Sequence, residues 1–419
     1  MSEPAPSRPY EPPPLETAPE TPGAEAATAP VVRSRATLLK RLADVVCLPG
    51  SRVNAFERAM TSDLLIELLR EAAPEERAKV ARRLANISDI PPALARMLLR
   101  DSVAISGALL EHSQHLGDAD LIDCAQAASP EHRRLIALRR GVGEAVVDAL
   151  VRRCEPAVLE AVLRNDLARF SHGALETVVA CTRDNPRLIG LLLRRPELRP
   201  SHAYIMFWWA DSECRRLILQ RFAVSREILQ DAVSDIFAIA AEEGWQDPLT
   251  RKALQFIERR QRNRAAIEKS PFGSLDEAVA AAQSGMTREL AEEISYLAGL
   301  KPMTGAKIMT DLGGEPLAIL CKATGLPRGA VRALWRGLRR PETDAAGNIT
   351  PALERVLTCF DALAVDRAQT VLRYWNWALS SALTPALMQA IRDGDDEAVD
   401  EFSAPQRAAM LALGRDFAR

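Results

Sequence analysis

At 419 residues, 47% hydrophobic and 26% charged, the chain has ordinary globular usage and can bury a sizeable core, as one extended domain or two to three compact ones. Its 54 basic and 56 acidic residues leave a formal net charge of −2, which excludes a global electrostatic footprint for nucleic acid and leaves room only for a local basic face. No apolar run approaches the ~20 residues a membrane helix needs, and the longest candidate, Ala203 to Ala210 (AYIMFWWA), is far too short.

The first segment, residues 1–33, is rich in Pro, Ala and Glu and poor in large apolar residues, so it cannot bury enough surface to offset its ordering entropy. It is expected to be a disordered tail, with Pro12-Pro13-Pro14 as a possible docking ligand. Its opening, MSEPAPSRPYEPPP, has neither a basic n-region nor an apolar h-region. Seven cysteines (Cys47, Cys124, Cys154, Cys181, Cys214, Cys321 and Cys359) include no CxxC pair. Together these features predict reduced, buried thiols in a cytoplasmic protein.

From Arg35 onward the periodicity is helical, with Leu38, Leu39, Leu42 and Val46 on one face. Ser62-Asp63, Pro74-Glu75-Glu76 and Pro91-Pro92 read as helix starts. No stretch alternates with period two, so strands are not expected. Between Ser225 and about Ile267 the helices lengthen, and Asp344 to Asn348 marks a linker before a last helical segment carrying Trp375, Trp377 and an acidic run from Asp393 to Glu401.

Internal repetition then sets the architecture. A shift of about 30 residues superposes Glu155–Glu176 on Asn185–Met206, matching Pro156 with Pro186, Leu163 with Leu193, Arg164 with Arg194, Arg169 with Arg199, and Ser171-His172 with Ser201-His202. Ser129–Leu150 fits with a period of about 26, and Ser102–Cys124 is a looser copy. Each unit reads as two short antiparallel helices, which must stack to bury their apolar faces. These repeats, with the later stretch DLGGEPLAILCKATGLPRGAVRALWRGLRRP (Asp311 to Pro341), resemble an alphaproteobacterial family of HEAT-like helical-repeat proteins. Over roughly Arg35 to Pro341 the resemblance implies a helical solenoid, a bacterial cytoplasmic setting and no catalytic residues to carry over.

The expected fold is therefore all-α: a tail at 1–33, a HEAT-like α-solenoid of short antiparallel helix pairs at 34–270, a helical bundle with a helix-turn-helix-like pair at 271–341, a linker at 342–349 and a C-terminal helical segment at 350–419. The expected function is a non-enzymatic protein-binding scaffold or adaptor. Its candidate anchors are the paired arginines Arg133, Arg134, Arg152, Arg153, Arg194 and Arg195, with Arg139-Arg140 and Arg215-Arg216 in the same pattern, and Trp208 and Trp209. Repeat-equivalent arginines could line one face as a basic ridge, or could form a solvated face neutralised by neighbouring acids.

The alternative is a DNA-binding regulator. Leu317–Leu338 resembles a helix-turn-helix turning at Gly325, with Arg328, Arg332 and Arg336 on the second helix. Any helix pair around a Gly turn has the same look. His112 and His115, with Asp118 and Asp120, are expected to be solvated loop residues rather than metal ligands. Ser171 and Ser201 are expected as N-caps, with His172 and His202 in the first turns. Gly141-Val142-Gly143 lacks the third glycine and the strand of a dinucleotide fingerprint, and no GK[ST] is present. No cofactor or metal is expected.

Overall fold

The helix periodicity, prolines in first turns and polar caps of this sequence are realised as helix after helix. In the computed structural model the described residues are 25–49, 51–87, 90–223 and 267–381, with side chains described from 35 to 376. No strand occurs among them, only an isolated antiparallel bridge between Thr343 and Ile349. No helix among them is long and apolar enough to cross a membrane. Residues 1–24, 224–266 and 382–419 lie outside, and with them Pro12-Pro13-Pro14, most of the lengthened-helix region and the acidic run.

Two compact units divide between Asp120 and Leu121. The first holds α1 (Glu25–Val46), α2 (Ala55–Arg70), α3 (Pro74–Leu84), α4 (Pro92–Leu99) and α5 (Val103–His112). Helix α1 begins inside the segment expected to be a tail, so residues 25–33 are helical. Helix α2 starts at a capping box in which Asn54 accepts from the Glu57 amide while Glu57 accepts from that of Asn54. Ser62-Asp63, expected to open this helix, lie in its interior instead, because the reciprocal cap eight residues upstream satisfies the first-turn amides. Pro74 and Pro92 sit at first-turn positions, as their sequence context implied. Both successive and alternate helices pack: α1 on α2 and α4 on α5, with α1 on α3, α3 on α5 and α2 on α4.

Helix α6 (Asp118–Ala127) spans the boundary. The second unit continues with α7 (Pro130–Ala137), α8 (Glu144–Val151), α9 (Pro156–Arg164), α10 (His172–Cys181), a 3-10 turn at Pro186–Leu188 leading into α11 (Ile189–Leu192), α12 (Pro200–Met206) and α13 (Ser212–Phe222). Again alternate helices meet: α7 with α9 and α9 with α11 in one layer, α8 with α10 and α10 with α12 in the other. This two-layer stacking is what the repeats demand, since one helix pair cannot cover its own apolar face. The stacking brings residues about one repeat apart into contact. Asn165 donates to the carbonyls of Ala137 and Arg139, Arg195 to Ala168, and Trp209 Nε1 to Thr182 Oγ1.

The same register joins Cys154 and Cys181, 27 residues apart, in a disulfide with Cα atoms 5.7 Å apart. This corrects the expectation of seven reduced thiols. A pair separated by one repeat carries no CxxC signal, and only the stacking of α10 beside the end of α8 makes it adjacent. Ser171 caps α10 as expected, accepting from the Ala174 amide. Ser201 does not cap α12: Pro200 takes the first position, Arg199 precedes it, and the Ser201 carbonyl accepts from the Tyr374 hydroxyl.

After the undescribed stretch come α14 (Leu275–Ala282), α15 (Arg288–Leu297), α16 (Pro302–Thr310), α17 (Glu315–Thr324), α18 (Arg328–Gly337), α19 (Pro351–Ala362) and α20 (Val365–Ser381). Helix α17 is the axis of this bundle and is buried from Glu315 through Cys321, packed by α16, α18, α19 and α20. The expected linker is an ordered loop: Asp344 accepts from the amides of Ala346 and Asn348, and the Thr343–Ile349 bridge closes it. Helices α19 and α20 consequently belong to the same bundle as α17.

One backbone approach limits the bundle. A Cβ on Gly337 of α18 would stand 2.3 Å from the Ala282 carbonyl oxygen at the end of α14. Helix propensity alone favours alanine over glycine by about 1 kcal/mol, but the overpacking against backbone costs more, about 1–3 kcal/mol. Gly337→Ala is therefore expected to be net destabilising, read as a lower denaturation midpoint, whereas Gly329→Ala on the same helix meets nothing within 4 Å and is expected to stabilise.

Candidate partner-binding groove

The apolar run Ala203 to Ala210 becomes α12 and the turn after it. Every residue but Trp209 is buried, because α10, α13 and α20 surround the helix. Trp375 of α20 fills this cluster, its ring centroid 4.6 Å from Trp208 and 5.0 Å from Phe207, and its Nε1 donates to the Tyr204 carbonyl. Trp208 and Trp375 are thus mainly core residues. Trp209 is half-buried and held by its bond to Thr182. The side chain of Trp377 lies outside the described residues.

The paired arginines do not form a ridge. In three pairs one member turns inward and caps a helix end while its neighbour stays exposed. Arg133 is 2% exposed; it grips Glu155 and donates to the carbonyls of Ala125 and Ala128 at the end of α6. Arg195 pairs with Glu197 and donates to the carbonyls of Asn165 and Ala168 just beyond α9. Arg215 donates to Phe207 and Ala210 just beyond α12. Helix ends leave carbonyls without intrahelical partners, and a guanidinium offers five donors to satisfy them. Arg133 and Arg195 are therefore removed from the candidate interface. Arg134, Arg152, Arg153 and Arg194 remain exposed, with Arg153 donating to the Gln126 carbonyl.

Arg215 does more than cap. Its guanidinium also binds both oxygens of Asp311, at 2.7 and 2.8 Å, and Glu315 at 2.8 Å, and all three residues are at least nine-tenths buried. Burial alone would pull this guanidinium down, but the hydrogen bonds and charges of Asp311 and Glu315 outweigh it and hold it above its ordinary value. Asp311 further accepts from the Gly314 amide, and Arg340 donates to the Asp311 carbonyl. The α12–α13 corner is in this way fastened to the α16–α17 corner.

Over that fastening lies a groove of about 540 Å³, lined by Trp208, Trp209, Lys307, Leu312 and Arg355 among others. Leu312 is 93% exposed on the α16–α17 connection, and the Lys307 ammonium stands 6.0 Å from the Trp208 ring centre. Leu312, Lys307 and Arg355 were not singled out from sequence. Leu312 sits in a short Asp-Leu-Gly-Gly connection, where an apolar residue gives no periodic signal.

The helix-turn-helix-like pair exists as α17 and α18, with Gly325 in the left-handed region at φ 82°. Its first helix is wholly core, and burial pushes the Cys321 thiol up to about 12, so Cys321 packs there as a small apolar side chain. Arg328, Arg332 and Arg336 share one face of α18, four residues apart. Arg328 pairs with Asp361 and Arg336 bidentately with Glu342, which neutralises two of the three. His112 and His115 are exposed and are not gathered with Asp118 and Asp120 into a cluster.

Removing the central cation leaves two buried carboxylates unpaired, and breaking such a network costs about 3–5 kcal/mol. Arg215→Ala is expected to lose that much in denaturant titration. Arg215→Lys is expected to recover little of it, because an ammonium cannot reach two carboxylates and two carbonyls at once.

A family model described as an uncharacterised protein conserved in bacteria (DUF2336) matches residues 105–373. No curated protein and no solved structure matches the chain.

Proposed function

The chain belongs to this conserved bacterial family (DUF2336), and from that premise we propose that it is a non-enzymatic scaffold or adaptor that holds a protein partner at the groove between the α12–α13 and α16–α17 corners. The alphaproteobacterial, HEAT-like and cytoplasmic attributes belong to the same proposal. Leu312 carries the reading. A leucine 93% exposed beside two tryptophans, on a corner fixed by buried ion pairs, is a preformed apolar anchor. Interface energy concentrates at a few anchors among which Trp and Arg are enriched, and the groove sets Trp209 and Arg355 beside Leu312. The partner feature that fits is an apolar side chain laid on Leu312 and Trp209, with a carboxylate directed to Lys307 and Arg355. Because Arg133, Arg195 and Trp208 are committed to the fold, the interface is drawn from the groove rim and not from the repeat-equivalent arginines.

A second reading, DNA binding through α18, is favoured by the row of Arg328, Arg332 and Arg336 along one face, of which Arg332 has no ion-pair partner among the described residues. Its weakness is the carboxylates on either side of that row.

The experiment is quantitative affinity purification of tagged full-length chain from its own bacterium, with nuclease treatment, comparing wild type with Leu312→Asp and Arg355→Glu. Leu312 is solvent-exposed, so Leu312→Asp is expected to keep its Tm yet lose a stoichiometric protein partner at least about tenfold, or ~1.4 kcal/mol. Partner recovery unchanged by both variants refutes the groove. DNA retained without nuclease, and lost in Arg332→Glu, moves the function to α18.

A further inference from the structure

We propose that His172, Glu176 and His202 form a binding site for one divalent transition-metal ion of the zinc class, bridging α10 and α12. His172 and Glu176 stand four residues apart on α10 and so share a face. His202 lies in the first turn of α12, the next helix of the same layer, which packs directly on α10. The repeat that superposes His172 on His202 in sequence is the reason they are neighbours in space: their ring centroids are 5.3 Å apart. One donor atom from each of the three residues lies within 4.8 Å of the other two.

Two imidazoles and one carboxylate are a recognised three-ligand set for zinc, with the fourth position left to water or to an outside donor. Tetrahedral ligands about 2.0–2.2 Å from an ion sit roughly 3.3–3.6 Å from one another. The cluster therefore needs a closure of about 1 Å, which rotation of the more accessible side chains supplies. The side chain of His172 is 46% exposed and that of Glu176 is 16% exposed, while His202 is held at 6%. His202 is the fixed ligand and His172 the one that swings, which also leaves the site open to solvent on the His172 side. Binding replaces the 2.9 Å His172 Nε2–Glu176 Oε1 contact by two bonds to the ion, with the imidazole proton carried on Nδ1 when Nε2 is the ligand. In the position that follows Glu176 by one repeat stands Met206, so the ligand set is not repeated in the next unit.

A surface His–Glu pair without metal affinity is the competing account, and the test separates the two. Chelator-stripped full-length chain is titrated with ZnCl2 alone by calorimetry, and with CoCl2 by visible absorption. The expected result is one equivalent bound at a Kd of about 1 µM or tighter, a cobalt spectrum of low coordination number, and a Tm raised by about 5 °C at a hundredfold excess over Kd. His172→Ala, at an exposed position, is expected to fold normally and weaken binding at least about tenfold, and Glu176→Gln to weaken it while leaving a hydrogen-bonding group in place. His112→Ala with His115→Ala is expected to change nothing. Absence of saturable binding overturns the proposal, and so does binding that His172→Ala and Glu176→Gln leave unchanged, which would assign the ion to other side chains.

Discussion

The junction of the α12–α13 and α16–α17 corners depends on the buried guanidinium of Arg215. Arg215 stands where two demands meet: two helix-end carbonyls need donors, and two carboxylates 96 and 100 residues away need a cation. Each alone would be a liability in a dry interior, since an unpaired carboxylate or carbonyl costs more than its partnered form returns. Together they close. The planar guanidinium, stacked 4.8 Å from the Phe207 ring centre, can serve all of them in one geometry. This knot ties the two corners together beneath the groove and fixes the Asp311–Glu315 connection, with Leu312 exposed on its outer side.

The helical class and the position of many helix starts were legible because they depend on local chemistry. Proline at Pro74 and Pro92 opens helices for reasons contained in the residue itself. The repeat between Pro156 and Met206 was legible too, since it is a self-comparison and needs no partner. What sequence did not disclose is which member of an arginine pair turns inward. Arg133 and Arg134 are identical by composition and adjacent by position, yet one is core and the other solvated. Helix phase decides that at the level of 100° per residue, and an error of one position inverts the answer. The anchor at Leu312 was hidden for the opposite reason, as an apolar residue in a connection belongs to no period at all.

The Cys154–Cys181 bond and the approach of His172 to His202 were concealed by a shared feature. Both pairs are separated by about one repeat, 27 and 30 residues, a distance at which no conventional spacing motif operates. In a stacked array that separation is short. The carbonyl of Ala168 meets Arg195, and Thr182 meets Trp209, across the same interval. The period is thus a ruler for contact, and reading the sequence at that offset finds pairs that a motif search passes over.

That ruler also says where function should not be sought. Several polar groups about one repeat apart are consumed in holding adjacent units together, as Arg195 is on the Ala168 carbonyl and Trp209 on Thr182. A site with affinity to spare arises where the period fails to supply a partner. Leu312 lies beyond the repeats, on a corner where it stays 93% exposed. Glu176 has a repeat counterpart in Met206, so the carboxylate beside the His172–His202 pair is not repeated in the next unit. Degeneracy of the array is the physical condition that places unlike side chains together at one level of the stack.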